Sequence, residues 1–423
     1  MAERTLHLAV NTGSGNLNRY GAFDVEEFVE TARLAETGLF DAVFLPNVSF
    51  LRAEGPVGGG FDPLVALTLM AQATSKVGLV GTVSVTLHHP YSIARSFASL
   101  EHLSHGRMGW NVVTTRNKPE GLNYGFDPLP DRRTRYAHAA EAIEIVNALW
   151  DSWQEGSVVR HPDATVTYER AHIKPIDYVG EHFRVAGPLQ IPSFPDTRTV
   201  ITQAGGSDEG MELAAKYADA VFSSTLLIEP ARDYYGKLKT LAAKHGRTPG
   251  SIAVLPGLAT VIGSTQAEAR RRSVSEEELA TELQRFARWA GVAAENLDLD
   301  GTFPVDLLKP SDPIFGSVGF DDSIRNYLKH NRSRPVRELL ADGIHHSATN
   351  HRRLVGTPEQ IADNIEEWFR SGASDGFILM PSGNTAELRI FIDEVVPLLQ
   401  KRNLFRREYA ETTLRERLGL RSK

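Results

Sequence analysis

The residues best suited to chemistry are neutral hydrogen-bonding side chains at the ends of apolar runs. Gly106-Arg107-Met108-Gly109-Trp110-Asn111-Val112-Val113-Thr114-Thr115 reads as a short buried strand that ends in small polar side chains. Asn111 offers an amide donor and acceptor at its end. Gly106 can close the turn into the strand, and Gly109 leaves room beside the backbone. An earlier run ends Gly81-Thr82-Val83-Ser84-Val85-Thr86, and Glu120 follows Asn111 in the chain. Grouped around a cavity, these side chains suit a planar heteroaromatic with carbonyls and ring nitrogens better than a metal. The plainer alternative for residues 106–115 is a core strand with a satisfied asparagine.

A second group supplies charge. Arg135-Tyr136 opens a long helical pattern, and Gly205-Gly206-Ser207 stands at the start of another. A guanidinium, a phenol and the N–H groups of a glycine turn can together hold a phosphate monoester. Asp208-Glu209 favour the helix dipole yet repel a dianion, so their side chains must point away. The competing reading of Gly205-Gly206-Ser207 is a plain N-cap, and the stretch is neither a Walker loop nor a dinucleotide fingerprint. Among the histidines, His88-His89-Pro90 lies just past the third strand pattern, while His345-His346 and His351 fall in or after a long loop. None has metal spacing with a carboxylate third ligand, so no metal site is expected. A pocket role for His88 stands beside the reading as surface histidine. Ser14, in Gly13-Ser14-Gly15, reads as turn chemistry.

Composition narrows the class. The 423 residues carry 41% hydrophobic and 23% charged side chains with a formal net charge of −7, as in a globular protein with a large core. No basic block points to nucleic acid or anionic membrane. The absence of cysteine excludes disulfides, thiolate metal sites and cysteine nucleophiles. With no apolar run approaching 18 residues and no signal-peptide pattern, a cytoplasmic location is expected.

These groups need a scaffold that brings strand ends and helix starts together. Strand patterns at 6–10, 40–46, 77–86, 106–115, 199–203, 218–223, 252–262 and 376–380 alternate with helical ones at 24–37, 62–74, 91–103, 131–153, 207–217, 230–245, 266–290, 357–371 and 388–399. Asp24 is a plausible N-cap, and Thr357-Pro358-Glu359-Gln360 a capping box. The 131–153 helix carries Ala139, Ile143, Val146, Trp150 and Trp153 as a buried stripe. Apolar strands alternating with helices predict a parallel sheet covered outside, closed as a (β/α)8 TIM barrel whose site lies at the carboxyl ends of the strands. The whole chain, 1–423, reads as one barrel domain. It has a proline-punctuated excursion at about 156–195 and a lid-like insertion at about 290–351, rich in Asp, Pro and Gly, including Ser311-Asp312-Pro313 and Gly316.

The 106–115 stretch, Arg135-Tyr136 with Leu149-Trp150-Asp151-Ser152-Trp153, Gln203-Ala204-Gly205-Gly206-Ser207, Val355-Gly356-Thr357-Pro358-Glu359-Gln360 and the tail from Leu404-Phe405-Arg406 to Leu418-Gly419-Leu420 occur in order. Together they resemble the bacterial-luciferase-like flavin monooxygenases, in the branch of nitrilotriacetate, EDTA and dibenzothiophene-sulfone monooxygenases. The resemblance implies a barrel that binds FMN as FMNH2, supplied by a separate NAD(P)H:FMN reductase. O2 is then the co-substrate, and one oxygen atom enters a small organic substrate through a C4a-(hydro)peroxyflavin. A homo-oligomer, dimer or tetramer, is expected. By the same resemblance Asn111 and Glu120 correspond to isoalloxazine and ribityl-side contacts, Arg135 and Tyr136 to phosphate or ribityl contacts, and Gly206 and Ser207 to phosphate contacts. Thr82 and Val83-Ser84 correspond to the strand end against which the ring packs, with a bulge and a cis peptide in luciferase. Asn47 stands where relatives often carry Asp, and His88 would hydrogen-bond the oxygenated intermediate or the substrate. Arg116-Asn117-Lys118-Pro119 is more basic than the family pattern, and the long insertion has no detailed counterpart. Arg52 and Arg116 suit a carboxylated or sulfonated substrate, or are solvated surface arginines; the substrate itself is not named by the sequence. Two alternatives remain: an oxidoreductase on the same barrel using the deazaflavin coenzyme F420, and a non-catalytic flavin-binding protein.

Overall fold

The computed structural model describes residues 4–12, 24–51, 60–163, 165–274, 278–308, 318–343, 351–381 and 385–420, without the side chains of 318–322. Ser14, Arg52, Gly58-Gly59, Ser311-Asp312-Pro313, Gly316 and His345-His346 lie outside the described residues.

The first half alternates strand and helix: β1 (His7–Asn11), α1 (Val25–Thr37), β2 (Ala42–Leu45), α2 (Pro63–Ala73), β3 (Gly78–Ser84), α3 (Pro90–Ser104) and β4 (Met108–Val113). Asp24 caps α1 by accepting from the Glu26 N–H, and Asp62 caps α2 in the same way. After β4 come α4 (Lys118–Asn123) and α5 (Arg132–Trp150). The α5 helix buries Ala139, Ile143, Val146 and Trp150, but it ends at Trp150. Trp153 lies beyond it and donates its indole N–H to the Leu189 carbonyl at 2.7 Å, holding the excursion to the barrel wall. That excursion is two small antiparallel ladders, β5 (Val158–Arg160) with β6 (Val166–Tyr168) and β7 (Tyr178–Val179) with β8 (Arg184–Val185).

Alternation resumes with β9 (Val200–Gln203), α6 (Asp208–Tyr217), β10 (Ala220–Ser223), α7 (Ile228–Lys244) and β11 (Ala253–Ile262). The helix expected over 266–290 is instead two, α8 (Gln266–Ser273) and α9 (Leu279–Ala290). The insertion expected as a loop holds α10 (Val318–His330) and α11 (Val336–Asp342). These pack with α9 on a core of their own, with Phe286, Trp289, Phe303, Leu328 and Leu340 buried in it. A strand absent from the sequence reading follows, β12 (Arg352–Gly356), then α12 (Pro358–Arg370) with its capping box at Thr357 and Gln360, and β13 (Gly376–Leu379). The last barrel helix is broken into α13 (Thr385–Ile390) and α14 (Val396–Lys401) by a π turn, and α15 (Leu414–Arg417) ends the chain's helices.

Every pairing in the main sheet is parallel, in the order β10-β9-β4-β3-β2-β1-β13-β11, and β10 also pairs with β11 to close eight strands into a barrel. β12 is a ninth strand, paired with the carboxyl half of β11 outside the closed ring. Alternate residues along each strand separate two apolar layers. Leu8, Val43, Leu79, Val83, Trp110 and Val112 face the helices. Ala9, Phe44, Val80, Val200, Ala220, Leu255 and Ile378 fill the interior together with Leu414, Leu418 and Leu420 of the tail. The tail therefore plugs the barrel at the amino ends of its strands. A Cβ on Gly78 would come within 2.5 Å of Leu414, so glycine there admits the plug. Arg406 anchors the tail with a 2.7 Å ion pair to buried Asp41. Burial pushes that carboxyl up, but the Arg406 guanidinium and His7 hold it far below the usual carboxylate range.

Candidate functional site

The strand carrying Asn111 divides its work between the two ends of the barrel. At the amino end Arg107 is 1% exposed and donates five hydrogen bonds, to the Ser104, Val77, Ala71 and Thr74 carbonyls and the Thr74 hydroxyl. It thus satisfies carbonyls left over where α2 and α3 end. Gly109, next inward, does not make room for a ligand: a Cβ there would lie 2.8 Å from Val80 Cγ2, so interior packing takes the space.

One inward step further the interior turns polar. Thr82, Asn111 and Thr202 are register partners across β3, β4 and β9. Asn111 Nδ2 donates to Thr82 Oγ1 at 3.0 Å, and Thr202 Oγ1 donates to Asn111 Oδ1 at 3.3 Å. The chain of donors fixes the amide and leaves the Thr82 hydroxyl hydrogen to point elsewhere. Ser84, inward on the same strand as Thr82, shares a 2.8 Å hydrogen bond with Thr115. Val83 faces the helices, and the register of β3 on β4 runs unbroken from Leu79 to Ser84, so there is no bulge. The cis peptides among the described residues are Asp127-Pro128 and Gly187-Pro188, not Val83-Ser84. The bulge and cis peptide expected at Val83-Ser84 are therefore replaced by regular strand, with Ser84 and not Val83 facing the interior.

β9 runs from this polar tier directly into the turn before α6. The Gly205 N–H donates to Gln203 Oε1 at 2.7 Å, and the Tyr234 hydroxyl donates to the Gly205 carbonyl at 3.2 Å. Gly205 has no room for a Cβ, which would meet Gln203 at 2.4 Å and Gly210 at 2.8 Å. Gly206 is the opposite case: it is exposed, and a Cβ there would meet nothing within 4 Å. Ser207 caps α6 by accepting from the Gly210 N–H at 3.2 Å. The Tyr136 hydroxyl lies at the same helix start, 2.9 Å from where a Gly210 Cβ would be. Asp208 and Glu209 are exposed, consistent with side chains turned to solvent. Arg135 is half-buried; one Nη donates to the Pro130 carbonyl, and its Nε is buried with no hydrogen-bond partner. Burial pushes its pKa down, as for a cation short of counter-charge.

The remaining expected residues gather on the β2–β3 side of the mouth. Glu120 is buried on α4 and accepts from the Ser49 N–H at 3.2 Å, while Asn123 donates to the Ser49 carbonyl at 2.8 Å. α4 is thereby tied to the loop after β2 that carries half-buried Asn47. His88 Nδ1 lies 3.1 Å from the Ser84 carbonyl, which can only accept, so this nitrogen carries the proton. Its ring rests against Tyr124. Arg116 is exposed. Among the described residues no group of three His, Asp or Glu is placed to hold a metal ion. None of the described helices is long and apolar enough to cross a membrane.

Asn11, Tyr234 and Phe222 carry no role in the sequence analysis, and His351 figures there only as a histidine without metal spacing. Asn11 falls one residue past the first strand pattern; β1 runs on to it, and it shares the inward parity of Ala9. His351 had no signal of its place, because β12 behind it went unread.

A family model described as luciferase-like monooxygenase matches residues 5–375. The chain is 36% identical over 405 residues to N-acetyl-S-(2-succino)cysteine monooxygenase of Bacillus subtilis (strain 168), covering 94% of this chain and 90% of that protein. Nitrilotriacetate monooxygenase component A of Aminobacter aminovorans is 35% identical over 418 residues, covering 94% and 90%. The solved structure of EDTA monooxygenase from Chelativorans sp. BNC1 superimposes with a TM-score of 0.83 at 31% identity, covering 99% of each chain.

Proposed function

Since the chain belongs to the luciferase-like monooxygenase family and is a flavin-dependent monooxygenase, we propose that it is the oxygenase component of a two-component system that uses reduced FMN. A separate NAD(P)H-dependent reductase supplies the FMN, and the cofactor activates O2 for transfer of one oxygen atom to a small organic substrate. The observation that carries the FMN assignment is the continuity of β9: it joins a neutral polar tier at Thr202 to an open helix-start turn at Gly206-Ser207. A ring system needing amide and hydroxyl partners and an anionic tail fits such a run.

Arg135, Tyr136, Gly206 and Ser207 would hold the phosphate. The unpaired Arg135 Nε and the empty space beside Gly206 are what an anion there would use. Asn111, Thr82 and Ser84 would meet the ring, and Glu120 and Asn47 the ribityl side. The protein's own work is then orientation and exclusion of water, because the reactive species must not decompose before it meets substrate. His88, with Nδ1–H committed to the Ser84 carbonyl, would present Nε2 as an acceptor on the same side.

The test is anaerobic binding of reduced FMN and reduced riboflavin to the wild type and to Ser207→Asp. Wild type should prefer reduced FMN by at least about tenfold, or about 1.4 kcal/mol. Ser207→Asp keeps a capping side chain but places charge beside the phosphate, and should erase the preference. Equal affinity for both flavins, or an unchanged preference in the variant, contradicts the phosphate seat.

A further inference from the structure

His351 enters the barrel interior by way of a missing side chain. Inward parity on β11 runs through Ala253 and Leu255 to Gly257. A Cβ on Gly257 would stand 2.3 Å from His351 Nδ1 and 2.6 Å from Cγ, so the imidazole fills the space that glycine leaves. The ring stacks on Phe222 of β10, centroids 4.7 Å apart and planes at 21°. Phe222 in turn packs on Phe44 of β2 at 5.4 Å. Asn11 is the register partner of Phe44; it is 3% exposed, and its Oδ1 has no hydrogen-bond partner. Burial pushes the His351 pKa down to about 4, which keeps the imidazole neutral at physiological pH.

The composition of this wall is selective. Phe44, Phe222, His351 and Asn11 present aromatic faces, a neutral imidazole and an amide with one end unpaired, and none of the four carries charge at neutral pH. A carboxylate seated against these four side chains would lose its hydration without gaining a counter-charge from them. A flat or sulfur-bearing uncharged group would gain ring contacts and a polar partner.

We propose that Phe44, Phe222, His351 and Asn11 form the wall that seats the reacting portion of the substrate, that this portion is an uncharged aromatic, thioether or sulfone group, and that His351 determines that specificity. The inference rests on the oxygenase reading, and it deepens it by assigning the substrate's chemical class. Any carboxylates the substrate carries must extend out of this wall.

Dibenzothiophene sulfone, flat, neutral and fluorescent, is the probe. Its affinity for the full-length wild type, His351→Leu, Phe222→Ala and Gly257→Ala is measured by titration without flavin, with reduced FMN affinity measured on each protein in parallel. The wild type should bind the sulfone, and His351→Leu should weaken it about tenfold or more. Gly257→Ala keeps the histidine but drives it from its place, and should weaken binding similarly. Excess nitrilotriacetate should not displace the probe. Should His351→Leu fail to fold, seen as lost FMN binding, Gly257→Ala decides the matter. Failure of the wild type to bind the sulfone, equal affinity in the folded variants, or displacement by nitrilotriacetate overturns the assignment. Failure of the wild type to bind reduced FMN overturns the oxygenase reading instead, so the two failures are separable.

Discussion

Arg107 and Glu101 show how much of the site's stability is decided at single residues below it. With one guanidinium satisfying four backbone carbonyls and a hydroxyl, Arg107→Leu strands all of those acceptors in the interior. The expected cost is about 3–5 kcal/mol, read as a lowered midpoint in denaturant unfolding; a loss under about 1 kcal/mol would contradict the clamp. Glu101 on α3 is a different case, a fully buried carboxyl beside a small cavity lined by Trp150, Phe194 and Thr197. Burial pushes its pKa up to about 7, against hydrogen bonds from Thr199 and the Met108 N–H that pull it down. A pKa raised on folding contributes stability below the unfolded value, about 4.5, and that contribution is lost as pH rises through 7. Glu101→Gln keeps an acceptor for Met108 without the charge. Its stability relative to wild type should therefore rise between pH 4.5 and 7, by roughly 2–3 kcal/mol, and level off above. A difference that stays flat from pH 4.5 to 8 would contradict a buried, titrating Glu101. At this scale the sequence was legible where a residue type has one use: Asn111 at a strand end and Ser207 at a helix start lie where the pattern put them. Gly109 was not, because a missing side chain does not say whether a ligand or a neighbour such as Val80 takes its space.

Elements were legible when their period was regular. The eight barrel strands and most of their helices follow the sequence reading to within a few residues, the divided helices at 266–290 and 388–399 apart, because apolar strands and amphipathic helices differ in period. The insertion defeated the same reading. Its Asp, Pro and Gly density suggested a loop, yet Ile324, Tyr327 and Leu328 lie on one face of α10, and α9 to α11 share a core apart from the barrel's. β12 was hidden for another reason: Arg352 and Arg353 make two of its five residues charged. Burial pushes the Arg352 pKa down to about 9, with its guanidinium 4.2 Å over Trp368, an environment that only the tertiary fold creates. Because the insertion has its own core, Phe286→Ala should loosen it locally. Hydrogen exchange is expected to rise in 279–343 and not in the barrel strands, with reduced FMN affinity unchanged. Exchange rising equally in β1 to β4 would contradict an independent core.

The whole molecule is a barrel closed at one end and polar at the other. Leu414, Leu418 and Leu420 fill the amino ends of the strands, and among the described residues the polar groups gather at the carboxyl ends, where β9 links the polar tier to the α6 turn. The same division explains what a sequence reading of function could reach. The ordered motifs sufficed for the family, since they mark strand ends and helix starts. They did not reach the substrate wall, since His351 arrives there by way of a strand outside the ring. Oxygen transfer that depends on reduced FMN is measured with 18O2. Anaerobic protein loaded with FMNH2 is mixed with 18O2 and, separately, with dibenzothiophene sulfone, N-acetyl-S-(2-succino)cysteine, nitrilotriacetate and EDTA. One 18O atom is expected in the product of at least one compound and none when FMNH2 is omitted. Oxygen consumed to hydrogen peroxide alone across the panel, or equal turnover with a reduced deazaflavin in place of FMNH2, would contradict transfer that depends on reduced FMN.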